Sequence, residues 1–541
     1  MLFAAAICVL SADSAYSQSY AITNAKIVTV SGSTIDKGTV VIRGGLIVAV
    51  GANVAAPADA QVFDASGLTV YPGFIDSNSN VGMAAAQPRP QGGQAAIAAA
   101  AAAASQPPTS NSNYTAGLRP EDSAYDELRA GESQFEAIRN SGITTVVTTG
   151  RSGIFTGRSV VINLAGDSVA SMVVKDPFAH HITYTTLGLN YPQSLLGTFA
   201  AIRQMFYDAA RLQTWQKNYA ANPSGMQRPP TDRSLEALFD AVNGKMPVVF
   251  NANDENAINR SLDLIAELKL SGVIAGGQEA GKVAGRLKQM NVPVLLSLNF
   301  PKRTAAASPE ADPESLETLR FRSEVPKTAA KLATAGVKFA FQSGGAANMA
   351  DYFANAGKAV ENGLSRDAAV RAMTLSAAEL LGIAERTGSI DAGKAANIVV
   401  VKGDLLGKDK FVTHVFVDGK YFEQKEPPKT PAVPTGPTPV ANANISGSYA
   451  ITVEVPGSPL TMTLNFTQSG TSLTGTMVSM LGNTPINNGK VDGTSFSYKA
   501  SVNYGGQNMD LDVSGKVAGQ QISGTMDTPM GAVPFSGTKN P

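Results

Sequence analysis

The chain has 541 residues, with 43 Lys and Arg balanced by 43 Asp and Glu. A net charge of zero leaves no bulk footprint for nucleic acid and no polyacidic tail. Hydrophobic residues make up 43% of it, enough for substantial cores, and the length predicts three or more structural units. With 52 glycines, 30 prolines and only 16% charged residues, the composition excludes a coiled-coil rod and favours many turns and strands.

Residues 2–10 form a short apolar run, followed by small residues ending in Ala15-Tyr16-Ser17. That pattern predicts a signal peptide over residues 1–17, cleavage before Gln18, and export to the periplasm or the exterior. No later run is long enough to span a bilayer, so no membrane span is expected. Cys8 is the only cysteine. It would leave with the signal, which excludes disulfides, zinc-thiolate sites and cysteine nucleophiles from the mature chain.

Residues 20–70 read as short alternating strands broken by glycines, for example Ala25-Lys26-Ile27-Val28-Thr29-Val30, and predict a small β-unit. Residues 71–386 then alternate apolar strands with helical segments. Ile143-Thr144-Thr145-Val146-Val147, Pro247-Val248-Val249-Phe250, Gly272-Val273-Ile274-Ala275 and Pro293-Val294-Leu295-Leu296 read as buried parallel strands, with helices near residues 235–241 and 257–270. This predicts an α/β (β/α)8 barrel. Residues 84–115, rich in Gln, Pro, Gly and Ala, cannot bury a core and read as an insertion. After a helix around residues 368–381, strands resume over residues 387–422 and are expected to complete the first β-unit as one composite sandwich. Residues 423–444 hold six of the 30 prolines, a stiff linker. Residues 445–541 predict about eight short strands with Gly, Asn and Ser turns, and contain two related phrases, Leu473-Thr474-Gly475-Thr476-Met477 and Ile522-Ser523-Gly524-Thr525-Met526. An antiparallel barrel or a small sandwich satisfies that spacing.

The phrase Tyr71-Pro72-Gly73-Phe74-Ile75-Asp76, joining a β-unit to a barrel, resembles the amidohydrolase superfamily, in particular its imidazolonepropionase-like and dipeptidase-like branch. Gly142-Ile143-Thr144-Thr145-Val146 is similar to the second barrel strand, and Thr374-Leu375-Ser376-Ala377-Ala378-Glu379-Leu380-Leu381-Gly382-Ile383 to the helix after the eighth. Gly388-Ser389-Ile390-Asp391-Ala392-Gly393-Lys394-Ala395-Ala396-Asn397-Ile398-Val399 is similar to the return into the β-unit. The resemblance covers roughly residues 20–424. It implies hydrolysis of C–N bonds at one or two divalent metals such as Zn²⁺, held by His-x-His on strand 1, His on strands 5 and 6, and Asp on strand 8. Residues i and i+2 of a strand share a face, so two imidazoles there can share a metal.

Here those slots are substituted. Asn78 and Asn80 stand at the strand 1 positions, Asn251 on strand 5, Gly276 on strand 6, and Gly344 or, one residue earlier, Ser343 on strand 8. Amide oxygens and glycine lack the charge and the nitrogen donors that zinc prefers, so metal-activated water is not expected and no cofactor is assigned. The strand 4 slot has no counterpart legible in the sequence. Of the three histidines, His180 and His181 are adjacent and would face opposite sides of a strand, and His414 falls in the β-unit. All three read as structural. Asp76 reads as a residue that fixes a strand end. Asp254 and Glu279, just past altered slots, are the weak candidates for acid-base chemistry, and Arg151 and Arg158 for contact with a substrate carboxylate.

Three functions compete on these residues. The first is a non-catalytic binder of a small amide or peptide-like ligand, or a partner of a homologous catalytic subunit or of its own copies. The second is a hydrolase of a cyclic amide or dipeptide that works through carboxylates or a weakly bound hard cation. In the third, the C-terminal β-domain sets the role and the barrel serves as a platform.

Overall fold

Apolar residues at alternate positions build the first elements as a sheet: β1 (Tyr20–Ile27), β2 (Ile35–Arg43), β3 (Leu46–Gly51), β4 (Gln61–Asp64) and β5 (Thr69–Pro72). A computed structural model describes residues 18–83, 114–131, 133–187, 191–303, 314–345, 349, 351–424, 444–453, 460–479, 482–504, 507–528 and 531–540. The expected signal peptide, and most of both the 84–115 insertion and the 423–444 linker, lie outside those residues. The chain forms two units, Met1–Pro427 and Pro428–Pro541.

In the first unit, β6 (Phe74–Ser79) and β7 (Ile143–Thr148) pair in parallel and open a barrel. Next come β8 (Phe155–Arg158), β9 (Val160–Asn163), the short β10 (Val173–Lys175) and β11 (His180–Thr183). The remaining barrel strands are β12 (Val248–Ala252), β13 (Gly272–Gly276), β14 (Val294–Ser297) and β15 (Phe339–Gln342). From β11 to β15 every neighbour is parallel. The third place differs from an ideal (β/α)8 barrel: β9 runs antiparallel to β7 and β8 antiparallel to β11, one bent segment split at Ser159. Ile75, Val147, Val161, Val249, Ala275, Leu295 and Ala340 meet inside the ring, with Ala377, Ala378 and Leu381 of the helix Leu375–Leu381 packed against them. Alternate residues such as Phe74, Val146, Phe250, Ile274 and Phe341 face the surrounding helices. Burial on both faces explains why these strands read as unbroken apolar runs.

Outside the ring, the 27-residue helix Leu195–Ala221 has no counterpart in the sequence reading; it buries Ile202, Met205, Phe206 and Ala209 at helical spacing. Among the described residues no helix is long and apolar enough to cross a membrane.

The chain then returns through β16 (Ile398–Lys402), β17 (Phe411–Val417) and β18 (Lys420–Glu423). The first β-unit is therefore composite, in the order β18-β17-β16-β5-β1-β2-β3 with β4 beside β1. β5 and β16 join its halves antiparallel, from Pro72 opposite Ile398 to Thr69 opposite Val401. Ile22, Ile42, Val70, Ile398, Val400 and Phe416 share its core. Gly73, between β5 and β6, has a backbone reason: a Cβ there would lie 2.1 Å from Thr144 Oγ1.

The second unit is a closed meander of β19 (Gly447–Val453), β20 (Leu460–Ser469), β21 (Ser472–Ser479), β22 (Gly482–Asp492), β23 (Ser495–Tyr504), β24 (Gln507–Ala518), β25 (Gln521–Thr528) and β26 (Gly531–Lys539). Each strand is antiparallel to the next, and β26 pairs back to β19. The barrel alternative is thus the observed one, and closure leaves no open edge. Its interior is built on Tyr449, Phe466, Phe496 and Tyr498, with Phe466 within 5.1 to 5.8 Å of the other three rings.

Residues 444–541 expressed alone are expected to unfold in one cooperative transition, because this unit has its own core and no unpaired edge. Phe466→Ala should cost about 3–5 kcal/mol, read from urea denaturation of that fragment. A non-cooperative melt of the parent fragment would show that its core depends on the rest of the chain.

Candidate functional site

The mouth of the barrel lies where its parallel strands end, the face on which such barrels carry function. Register tells which side chains enter it. Gln342 follows the inward Ala340 by two residues, so it too points inside the ring. Its Nε2 donates to Leu295 O at 2.8 Å, leaving Oε1 to accept from Asn78 Nδ2 at 2.8 Å. A carbonyl oxygen only accepts, so this relay orients both amides and leaves Asn78 Oδ1 buried with no partner among the described residues. Strands 1 and 8 are linked here by neutral amides.

Asp76 makes the second link. Its Oδ1 accepts from Ser343 N at 2.8 Å and its Oδ2 from Ser343 Oγ at 2.6 Å. Tyr352, on the helix Tyr352–Glu361, donates its hydroxyl to Ile75 O at 3.0 Å beside this pair. Asp76 is 0% exposed. Burial raises its pKa to about 7, against the lowering effect of the bonds from Ser343 and Asn78.

The other expected positions are brought to the mouth unequally. Asn251 is in register with the inward Ala275, and its Nδ2 donates to Ile182 O at 3.2 Å. Asn80 offers its backbone carbonyl to Arg151 Nη2 at 3.3 Å. Gly276 has φ +92, and a Cβ on it would lie 2.3 Å from Asn253 Oδ1. A residue with a side chain, histidine included, would be strained in that backbone conformation. Gly344 follows Ser343 with φ +78.

Asp254 and Glu279 are held in local structure. Asp254 caps the helix Glu255–Leu268, accepting from Ala257 N at 2.9 Å. Glu279 accepts from Glu255 N at 2.9 Å and pairs with Lys282 at 2.7 Å. The two arginines are not brought together. Arg151 binds the carbonyls of Asn80 and Met83, while Arg158 donates to Glu121 O at 3.1 Å and lies opposite His180, on the outward face.

The strand 4 slot, illegible in the sequence, falls on β11. His181 is in register with the inward Val249, and its Nε2 meets Ser159 Oγ at 2.9 Å. His180 turns outward to Ala237 O at 2.9 Å. Burial depresses His181 to about 3 and His180 to about 4, so both rings are neutral. The only signal for this slot was the adjacent histidine pair, and the antiparallel third strand hid its register. His414 packs in the β-unit against Phe63 and Tyr421.

Among the described residues no three His, Cys, Asp or Glu are grouped to hold a metal ion. The donors brought together at these strand ends are amides, hydroxyls, one neutral imidazole and the buried Asp76 carboxyl, which is already bonded to Ser343. That donor set does not fit a catalytic zinc site, which needs three nitrogen, sulfur or carboxylate ligands and an open position.

Residues 316–422 match the sequence pattern described as "Amidohydrolase family". An amidohydrolase from Thermotoga maritima MSB8 superposes with a TM-score of 0.62 at 24% identity, covering 75% of this chain and 100% of its own. A prolidase complexed with N-methylphosphonate-L-proline (19% identity, TM-score 0.45) and a Xaa-Pro dipeptidase with bound methionine (18%, 0.45) each cover 75% of this chain and 100% of theirs. No curated protein matches the sequence.

Two outcomes follow from the buried links. Asn78→Leu strands Gln342 Oε1 in the interior and should cost about 1–3 kcal/mol, measured by chemical denaturation. Because Asp76 holds its proton more tightly when folded, its contribution to stability falls as pH rises from the ordinary 3.8 through about 7. Asp76→Asn should therefore gain on the parent across that window, and an unchanged difference between the two would count against the buried carboxyl.

Proposed function

We propose that this chain is a member of the amidohydrolase superfamily and, within it, a non-catalytic binder that takes a small amide or peptide-like ligand at the barrel mouth. One observation carries the reading: the relay from Asn78 through Gln342 to Leu295 O joins strands 1 and 8, two of the strands on which the resemblance implies metal ligands. Side-chain amides both donate and accept, so they suit recognition of another amide. They neither lower the pKa of a bound water nor polarise a carbonyl as a metal does. Export to the periplasm or the exterior, and association with a homologous subunit or a second copy, belong to the same proposal.

A second reading rests on Asp76. A carboxyl that titrates near neutrality at a strand end suits proton transfer, and supports hydrolysis of a cyclic amide or dipeptide without an imidazole-bound metal. Its complete burial and its two bonds from Ser343 favour a structural role.

Elemental analysis after dialysis, paired with melting curves with and without EDTA, separates the two. The binder reading expects far less than one metal per chain, an unchanged melting temperature and no amide hydrolysis. A bound ion would stabilise the native state by mass action. One metal per chain, lost together with hydrolytic activity on chelation and restored by zinc or manganese, would overturn it.

A further inference from the structure

Away from the mouth, a recess of about 270 Å³ is lined in part by Asn163, Asp167, Arg386, Asp418 and Lys420. Register gives its place: Asn163 ends β9 and lies opposite Thr145, near the start of β7, whereas the mouth lies where β7 ends. The proposed amide ligand and this recess are therefore at opposite ends of the barrel.

A carboxylate is fixed here from behind. Asn163 Oδ1 accepts from Thr145 Oγ1 at 2.7 Å and from Asn397 Nδ2 at 3.3 Å, which settles the amide's orientation. Asn163 Nδ2 then donates to Asp418 Oδ1 at 2.7 Å. Asn397 Oδ1 accepts from Asp418 N at 2.8 Å. Among the described residues Asp418 Oδ2 has no hydrogen-bond donor, it is not among the atoms sealed from solvent, and Asp418 lines the recess. Two cations stand near without bonding to it. Lys420 pairs with Asp167 at 3.1 Å, and Arg386 donates through Nη1 to Val174 O at 3.1 Å. Burial raises the pKa of Asp418, opposed by the Asn163 bond and by the charges of Arg386 and Lys420.

A simple anion in this recess would face Asp418, and a simple cation would face Arg386 and Lys420. A molecule carrying both charges complements both. We infer that the recess binds a small zwitterion of the α-amino-acid type, its ammonium against Asp418 Oδ2 and its carboxylate toward Arg386 and Lys420. The network that fixes the ligand's carboxylate partner already joins barrel to β-unit, because Asn163 belongs to β9 whereas Asn397 and Asp418 flank β16 and β17. The inference goes beyond the amide-binding mouth and does not depend on it.

Isothermal titration of the full chain with glycine, acetate and ethylammonium tests it, in the parent and in Arg386→Gln, Lys420→Gln and Asn78→Leu. Glycine should saturate, with each half-ligand at least about tenfold weaker. Arg386→Gln and Lys420→Gln should each weaken glycine by about tenfold with an unchanged ligand-free melting temperature, and Asn78→Leu should bind as the parent does. Absence of saturable glycine binding in the parent, or half-ligands as strong as glycine, would overturn the site. Loss of glycine binding in Asn78→Leu with retention in Arg386→Gln would place the amino acid at the mouth and overturn it equally.

Discussion

The first unit depends on closure of its barrel ring between the first and the last strand. The chain leaves β6 for about sixty residues before β7, and β15 is reached only after seven further strands have been laid down. Between β15 and β6 the junction includes two buried side-chain links, Asp76 to Ser343 and Asn78 to Gln342. Each satisfies polar groups that would otherwise be stranded in the interior, where an unpaired group costs more than a made bond returns. The closure is electrically quiet: amides meet amides, and the single carboxyl is pushed toward its neutral form by burial.

That quietness governs what the mouth can do. A divalent ion needs charged or imidazole donors converging on one point, and convergence of several such groups is tolerable only when the ion is there to offset their repulsion. In this chain the converging positions carry groups that bond mainly to one another and to backbone carbonyls, although Asn78 Oδ1 and His181 Nδ1 find no partner among the described residues. Asn78 spends its donor on Gln342, Asn251 spends its own on Ile182 O, and the strand 6 position has a backbone conformation that leaves the space to Asn253. The inward histidine on β11 is neutral and hydrogen-bonded to Ser159, and its Nδ1 has no partner among the described residues. Among the described residues the mouth presents groups suited to a polar neutral partner, and no cluster of three His, Cys, Asp or Glu.

The opposite end of the barrel has the reverse character. Charged side chains stand at the recess, and the polar network of Thr145, Asn163, Asn397 and Asp418 ties a barrel strand to the composite sheet. The C-terminal unit solves a different problem by different means. With no helix among its described residues to cover a sheet, it removes its edges by pairing β26 to β19, and fills the interior with stacked and edge-on aromatic rings. Two barrels in one chain thus differ in what stabilises them: parallel strands buried on both faces in one, an antiparallel meander buried on one face in the other.

Much of this was legible in the residues themselves. Apolar runs announced strands buried on both faces, alternation announced the two β-units, and the phrase from Tyr71 to Asp76 announced the passage from sheet to barrel. That residues 78, 80 and 251 carry amides needs no coordinates, because side-chain chemistry is a property of the sequence alone. Other features needed the fold. That the segment from Phe155 to Asn163 runs antiparallel, that His181 faces inward, and that Gln342 completes the amide relay are facts of register, which pairing between distant strands sets. Asp254 and Glu279 followed altered positions in the sequence, yet the space they occupy is decided by a helix start and by Lys282. The sequence by itself determined which chemical groups the chain carries and the periodicity that folds them. Only the tertiary structure decided which of them meet, because hydrogen-bond partners, burial and backbone angles are set by contacts between residues far apart in the chain.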